Sequence, residues 1–491
     1  MYQRGKDLNA GPQSIVQFRP RIFFLLLLVS LPLLNPWVRG DGVGYYAYAR
    51  AVLVQHNLDF APDYQHANEG FREARLDVNG APRELFRTRT GHLDNHFTVG
   101  PAILWSPFLL LAHLAVLLAR AFGSHVTADG FSLPYLLAMA LGTLLYGFAA
   151  LLLSYRVATR FVAERWALLA TIGIWWASSL PVYMYFNPSW SHAHSAFATA
   201  LFFWYWLRTR GARSRAQWLV LALIAGLMLN VYYPNIFLTL VLVPEALSAL
   251  RAAWAQTATR AEKVAGLFSR YILFAAVAFA CLLPTFISRY VVYGGFFETG
   301  YIPISSWAWR SPWFLSLLFS TNHGVFSWTP LLLVAVIGLF LFWRRVPDVG
   351  AAALLVVVAF YYFMSAYPDW AGISSFGNRF FISLTIFFVL GLAVVLDSAA
   401  AFFASRRAAS LVLGGILCAF ILWNLGLIFQ WGSHLIPARG PVPVREVVYN
   451  QFNVVPRQLF AQLHSYMFRR KDTLHQIEQR DIEQLNRQSN P

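Results

Sequence analysis

Residues 101–122 read PAILWSPFLLLAHLAVLLARAF, and whether this run crosses a membrane decides the topology of everything around it. It is long enough to span, with one arginine and no acid. The charges elsewhere settle the matter. Suppose the run does not cross, and the first return is 131–154. The short loops holding Arg156/Arg160/Arg165, Arg208/Arg210/Arg213/Arg215, Arg251/Arg260/Lys263/Arg270, Arg344/Arg345 and Arg406/Arg407 then all face the cytoplasm. Past residue 131, the short loops on the opposite side keep only Arg289, Arg310 and Arg379. That bias follows the positive-inside rule, and counting 101–122 as a span reverses it. The run is therefore expected to be a surface-lying or re-entrant helix.

Composition sets the wider class. The chain is 58% hydrophobic and 12% charged, against about 25% charge in soluble domains. Apolar stretches of about 20 residues point to helices rather than to the alternating strands of a barrel. The net charge of +16 is carried by short inter-span loops, with no basic stripe interleaved with stacking aromatics, so nucleic acid is not an expected partner. The two cysteines, Cys281 and Cys418, sit in apolar runs and offer neither a zinc set nor a disulfide framework. The first apolar run leads into Asn35-Pro36-Trp37 without a small-residue cleavage site, so it reads as a retained span.

The expected fold is all-α integral membrane, with about eleven spans: 22–38, 131–154, 167–186, 193–207, 218–232, 235–250, 271–290, 327–343, 351–367, 380–396 and 410–431. Residues 1–21, with Arg4, Lys6, Arg19 and Arg21, form a cytoplasmic segment. Residues 22–431 form the polytopic domain, including a large outer loop at 40–100. Residues 432–491 form a polar, basic tail placed outside, with a weakly amphipathic stretch at 447–468 suited to the outer leaflet. Proline closes tight outer turns at Asn187-Pro188-Ser189 and Tyr233-Pro234.

The outer loop opens with RGDGVGYYAYAR (39–50), closes with HLDNHFTVGP (92–101), and carries eight acids in an otherwise apolar protein. Tyr45, Tyr46, Ala49, Val52 and Leu53 recur at helical spacing, which predicts an amphipathic surface helix over 43–56. With the spans assembled, one membrane face collects Asp41, Asp94, Asn95, His96, His192, His194, Arg310, Asn322, His323, Asp369 and Arg379. A carboxylate there can take a hydroxyl proton or, with histidine, hold a divalent metal ion. An arginine can fork onto phosphate oxygens and stabilise a departing anion.

The order of span, acid, surface helix, polar loop, proline-led helix and arginine-ended span resembles the GT-C integral-membrane glycosyltransferases. The branch it resembles is that of the protein O-mannosyltransferases and aminoarabinose transferases. The resemblance implies a catalytic or metal-binding role for Asp41, with Asp94 in the second polar cluster. It places Arg379 near the donor phosphate. From the polar groups themselves, His323 and Arg310 are further candidates for the phosphate, and His96, His192 and His194 for metal or acceptor contacts. Asp41-Gly42 stands where the family shows an acidic pair, and Pro101 stands alone where it shows two prolines. The metal requirement and the second carboxylate therefore stay open.

Each residue also has a plainer role. Asp41 can cap the helix after it. Arg379 can snorkel from a helix end. The tryptophans and tyrosines at span ends, Trp190 and Tyr183 among them, read as an interfacial belt. Asp59 through Glu84 read as solvated partners of nearby arginines. The expected activity is an inverting transfer of a sugar from a polyprenyl-phosphate donor to a glycan, lipid or protein acceptor on the outer face. The rival is a transporter or lipid-linked-glycan flippase. It fits less well, because transporters hold ionisable groups near the midplane of paired halves, and here they gather at one face.

Overall fold

The computed structural model describes residues 20–256 and 258–489, so nearly all of the 1–21 segment lies outside the described residues. The chain divides into two units, Met1–Leu33 and Leu34–Pro491. In the first, helix Pro20–Ser30 ends in a 3-10 turn, Leu31–Leu33. The run expected to stay helical to residue 38 therefore stops early, because Pro32 and Pro36 withhold backbone donors.

The second unit is helical, and the β contacts among its described residues are two isolated bridges in the outer loop, Leu76–Pro82 and Arg87–Leu93. Seven described helices are long and apolar enough to cross a membrane: Gly100–Ala121, Leu133–Ala158, Tyr233–Trp254, Arg260–Ala280, Pro347–Ala366, Arg379–Ala400 and Arg406–Gly432. This is the architecture of an all-helical membrane protein. Several runs expected as single spans are interrupted at proline. Arg260–Ala280 gives way to Leu283–Tyr293 at Pro284, Val325–Trp328 to Leu331–Arg345 at Pro330, and Glu164–Trp176 to a π-turn, Val182–Phe186, after Pro181.

The helix His192–Thr209 shows how polar groups sort along the bundle. Beyond its C-terminal end lie the ion pairs Arg213–Glu245 (2.5 Å), Arg345–Asp397 (2.7 Å) and Arg210–Asp348. Its N-terminal end meets the 40–99 loop.

There the chain enters helix Asp41–Arg50, which runs on into a π-turn, Ala51–Gln55. The expected surface helix is instead enclosed, with every residue from Gly42 to Arg50 buried. Its tyrosines explain why. Tyr46, part of the expected membrane-facing stripe, donates to the Gly130 carbonyl (2.6 Å), and Tyr48 donates to the Asn95 carbonyl (2.7 Å), so the helix is anchored to protein on two sides.

Helix Gly100–Ala121 runs antiparallel to Leu133–Ala158. Trp105 donates to Thr143 (2.8 Å), and the His113 ring meets the Tyr135 hydroxyl (2.6 Å). Its outward face is apolar, with Leu110, Leu111, Leu114, Leu117 and Leu118 exposed. The loop before it and the turn after it both touch helix Asp41–Arg50. Asn95 donates to the Gly44 carbonyl (2.9 Å), and Gly130 accepts from Tyr46. That helix is ten residues long, about 15 Å.

Two arginines tie down the loop. Arg50 and Asp63 form a buried pair at 2.6 and 2.7 Å. Asp63 is thus not a solvated charge. Burial pushes its carboxyl up to about 6, against the opposing pull of Arg50. Arg289, also buried, donates to the carbonyls of Asn95 (3.0 Å), His96 (2.7 Å) and Phe97 (2.9 Å) and to the Tyr233 hydroxyl (3.1 Å). The C-terminal tail returns to the same loop. Glu478 accepts from Asn68 (2.8 Å) and Gly70 N–H (3.1 Å), His475 meets Glu69 (2.9 Å), and Asp481 pairs with Arg39 and His434. A cavity of about 420 Å³ lies between this tail, the loop and Phe131, and neither Asp41 nor Arg379 lines it.

Candidate functional site

Asp41 is the first residue of its helix, and the backbone there needs glycine on both sides. Gly40 has φ +53°, and a Cβ on it would meet the Trp190 ring at 3.0 Å; a Cβ on Gly42 would strike the Ser189 side chain. The N-cap position is Gly40, which has no side chain to cap with, and Asp41 is the first helical residue. The Asp41 carboxylate pairs with Arg379, with Oδ2 3.0 Å from a guanidinium nitrogen.

Arg379 opens the 3-10 turn Arg379–Leu384, directly after Gly377 (φ +54°) and Asn378. The loop before it is pinned by Phe376 N–H donating to the Tyr183 hydroxyl (3.2 Å) and by Asn378 donating to the Trp370 carbonyl (2.8 Å). The guanidinium stacks over Trp190 at 4.5 Å, and Trp190 is held in turn by a bond from its Nε1 to the Arg39 carbonyl (2.9 Å). The Arg379 side chain is 10% exposed and that of Asp41 30%. A snorkelling arginine would reach water; this one is walled in. Trp190 and Tyr183, expected in an interfacial belt, are buried parts of that wall.

Several buried polar atoms around the pair make no hydrogen bond among the described residues: Arg379 Nε, Asn378 Oδ1, Ser189 Oγ and His192 Nδ1. Leaving such an atom unmade costs about 1–3 kcal/mol, so folds rarely gather four without a purpose. His192 sits among Tyr183 (4.8 Å), Trp190 (6.1 Å) and Tyr232 (6.2 Å). His323 stacks on Trp328 (4.6 Å) in a left-handed backbone, φ +58°. Burial, with the nearby Arg379 charge, lowers its imidazole to about 4. Tyr45, Tyr183, Tyr232, Tyr301 and Tyr367 stand within electrostatic reach of Asp41. Tyr45's hydroxyl is pushed up by burial and then by that carboxylate.

The other expected residues fall elsewhere. Asp94 accepts from Tyr293 and meets the His96 ring at 3.3 Å. Burial raises its carboxyl, but the bonds from His96 and Tyr293 outweigh that and leave it below the ordinary value. This is a second polar group on the far flank of helix Asp41–Arg50, joined toward Asp41 through the Tyr301 ring, 4.8 Å from His96. His194 packs against Trp105 (5.0 Å) and Tyr146 (5.5 Å), away from the guanidinium. Arg310 is exposed and makes no ion pair among the described residues. The sequence reading overlooked Trp190, Ser189 and Asn378 as shapers of the site, and Arg289 as the clamp on 95–97. Arginine near the end of an apolar run was the available signal for Arg289.

No group of three His, Cys, Asp or Glu side chains placed to hold a metal ion occurs among the described residues. Asp41 is already paired with Arg379, and Asp94 has a single histidine beside it, so the donor sets here do not fit a divalent metal. What the arrangement offers is a carboxylate, a guanidinium fork and unpaired hydroxyl, amide and imidazole atoms in one partly enclosed place. A scan against protein-family models and a search of curated proteins found no match to the chain.

Proposed function

We propose that the protein is an inverting glycosyltransferase that moves a sugar from a polyprenyl-phosphate donor to an acceptor hydroxyl on the outer face of the membrane. The observation that carries this reading is the Asp41–Arg379 pair, set among unpaired buried polar atoms at one end of an apolar bundle. A phosphodiester headgroup supplies acceptor oxygens for Arg379 Nε and the Ser189 hydroxyl, and a sugar or acceptor hydroxyl can donate to Asn378 Oδ1. Its prenyl chain is matched by the lipid-facing helices around the site.

The pair is a resting state. A donor phosphate competes with Asp41 for the guanidinium, and once it binds, the carboxylate is released to act as base. The acceptor oxygen then attacks the anomeric carbon from the face opposite the phosphate. The bond from that carbon to the phosphate oxygen breaks, and the acceptor proton passes to Asp41. Polyprenyl phosphate leaves with one more negative charge, which Arg379 stabilises where it develops. Holding both reactants at the bilayer surface replaces an unfavourable bimolecular encounter. Glycan, lipid and protein acceptors are all compatible with this chemistry.

The topology we infer is eleven spans with the site outside. Three observations support it. The basic loops lie at the far end of helix His192–Thr209. Both flanks of Gly100–Ala121 touch one short helix, as a re-entrant or surface segment requires. The tail contacts the loop through Glu478, His475 and Asp481, which supports a tail on the loop's side. The test is sugar transfer from a synthetic polyprenyl-phosphate donor series by the protein in lipid nanodiscs, with Asp41→Asn as control. Turnover by the wild type and turnover lowered by about 10²–10⁴ in the variant are expected; full activity in the variant would remove the base.

A further inference from the structure

The segment after the last span carries a second interaction surface. Helix Val444–Tyr449, a π-turn Asn450–Val454 and helix Val455–Phe468 follow one another without a break. Val448, Phe452, Leu459 and Leu463 recur at spacings of four, seven and four, a single helical face, and all are exposed, as are Phe460 and Phe468. The other side of the second helix bears Arg457, Gln458, Gln462 and Ser465. So much exposed apolar surface on one element calls for an occupant.

Its position names the occupant. Gln451 donates to the carbonyls of Leu422 (3.4 Å) and Trp423 (3.3 Å) and accepts from Gln430 (2.8 Å), all on helix Arg406–Gly432. That helix has 27 residues, about 40 Å against a hydrocarbon core of about 30 Å. Leu422 lies ten residues from its end, about 15 Å down its axis. With the helix's roughly 10 Å excess lying all at this end or shared between both, the Leu422 contact falls about 5–10 Å inside the acyl boundary, level with the exposed Leu422 and Leu425 of the span. Arg445, Arg457, Arg469 and Lys471 punctuate and follow the segment. At its far end Tyr466 meets Phe186 (5.8 Å), next to the Asn187–Trp190 turn that supports Arg379.

We propose that residues 444–468 form an interfacial helix whose apolar face is sunk in the lipid bilayer beside the site, with the lipid surface itself as its partner. Such helices bury their apolar face about 5–10 Å into the headgroup–acyl boundary. This inference does not depend on glycosyl transfer.

The test uses the full chain with Cys281 and Cys418 replaced by serine, in vesicles of equal phosphatidylcholine and phosphatidylglycerol. Single cysteines are placed at Phe460 or Leu463 on the apolar side and at Gln458 or Gln462 on the polar side, then spin-labelled. Labels at 460 and 463 should collide several-fold more with oxygen than with a water-soluble nickel chelate, and labels at 458 and 462 the reverse. Nickel-dominated collisions at both 460 and 463 would overturn the proposal. So would shielding from both reagents with dipolar broadening, which would make the occupant a second copy of the chain. Because each face is read at two positions, one variant that fails to fold does not leave the question open.

Discussion

Replacing Asp41 by asparagine should separate two quantities that a merely structural residue would move together. At 3.0 Å and an effective dielectric of about 20, the Asp41–Arg379 attraction is roughly 5–6 kcal/mol. Desolvation of both groups offsets most of it. A net 1–2 kcal/mol is a reasonable surplus for a carboxylate whose side chain is 30% exposed. A donor phosphate must displace that interaction to reach the guanidinium, so removing the negative charge should tighten donor binding by about 5- to 30-fold. Transfer should fall by about 10²–10⁴, the usual contribution of a positioned base. Asparagine keeps an oxygen acceptor for Arg379, which limits the stability loss to about 1–3 kcal/mol. The assay is calorimetric titration of short-chain polyprenyl phosphate into nanodisc-held protein, beside turnover of a labelled donor. Weaker phosphate binding in Asp41→Asn would refute the competition on which this reasoning rests.

Four more outcomes are expected. Gly42→Ala should cost about 1–3 kcal/mol of stability, as overpacking does, and should lower transfer, read by thermal unfolding and turnover; an unchanged protein would mean that Ser189 yields freely. Arg50→Met alone should destabilise by about 3–5 kcal/mol by stranding buried Asp63, whereas Arg50→Met with Asp63→Leu should recover most of that, as denaturant titration would show. His323, lowered to about 4, contributes stability that is present above its unfolded value of about 6.5 and is lost as pH falls toward 4. The loss is at most about 3 kcal/mol. His323→Asn, which tolerates the left-handed backbone, should flatten the unfolding temperature across that range. A cysteine at exposed Asn79 should react with an impermeant reagent from outside, and one at exposed Arg165 should not; the opposite pattern would invert the topology.

The helical class and most apolar runs were legible because hydropathy over about 20 residues is a local property. So was the Asp41 and Arg379 pairing as a shared place, since each stands at a loop-to-span boundary. Long-range enclosure was not legible. Tyr45, Tyr46 and Ala49 have the spacing of a membrane-facing stripe, and nothing local announces that Tyr46 donates to Gly130 or Tyr48 to Asn95. Asp63 looked like its neighbours Asp59 and Glu69, and only the fold that brings Arg50 against it sets it apart. Trp190 carries an arginine on its face rather than a headgroup, and composition reads those two uses alike. The breaks at Pro284 and Pro330 were missed, because hydropathy runs straight through both prolines.

The tail's grip on the outer loop has a bearing on biogenesis. Glu478 cannot reach Asn68 until 410 further residues have been made, so Arg39, two positions before Asp41, waits for its acidic partner through almost the whole of synthesis. A nonsense mutation within the final helix would leave the spans inserted but the doorway to Asp41 unlatched. A purification tag carried on the exposed turn near Asn79 would leave that latch untouched.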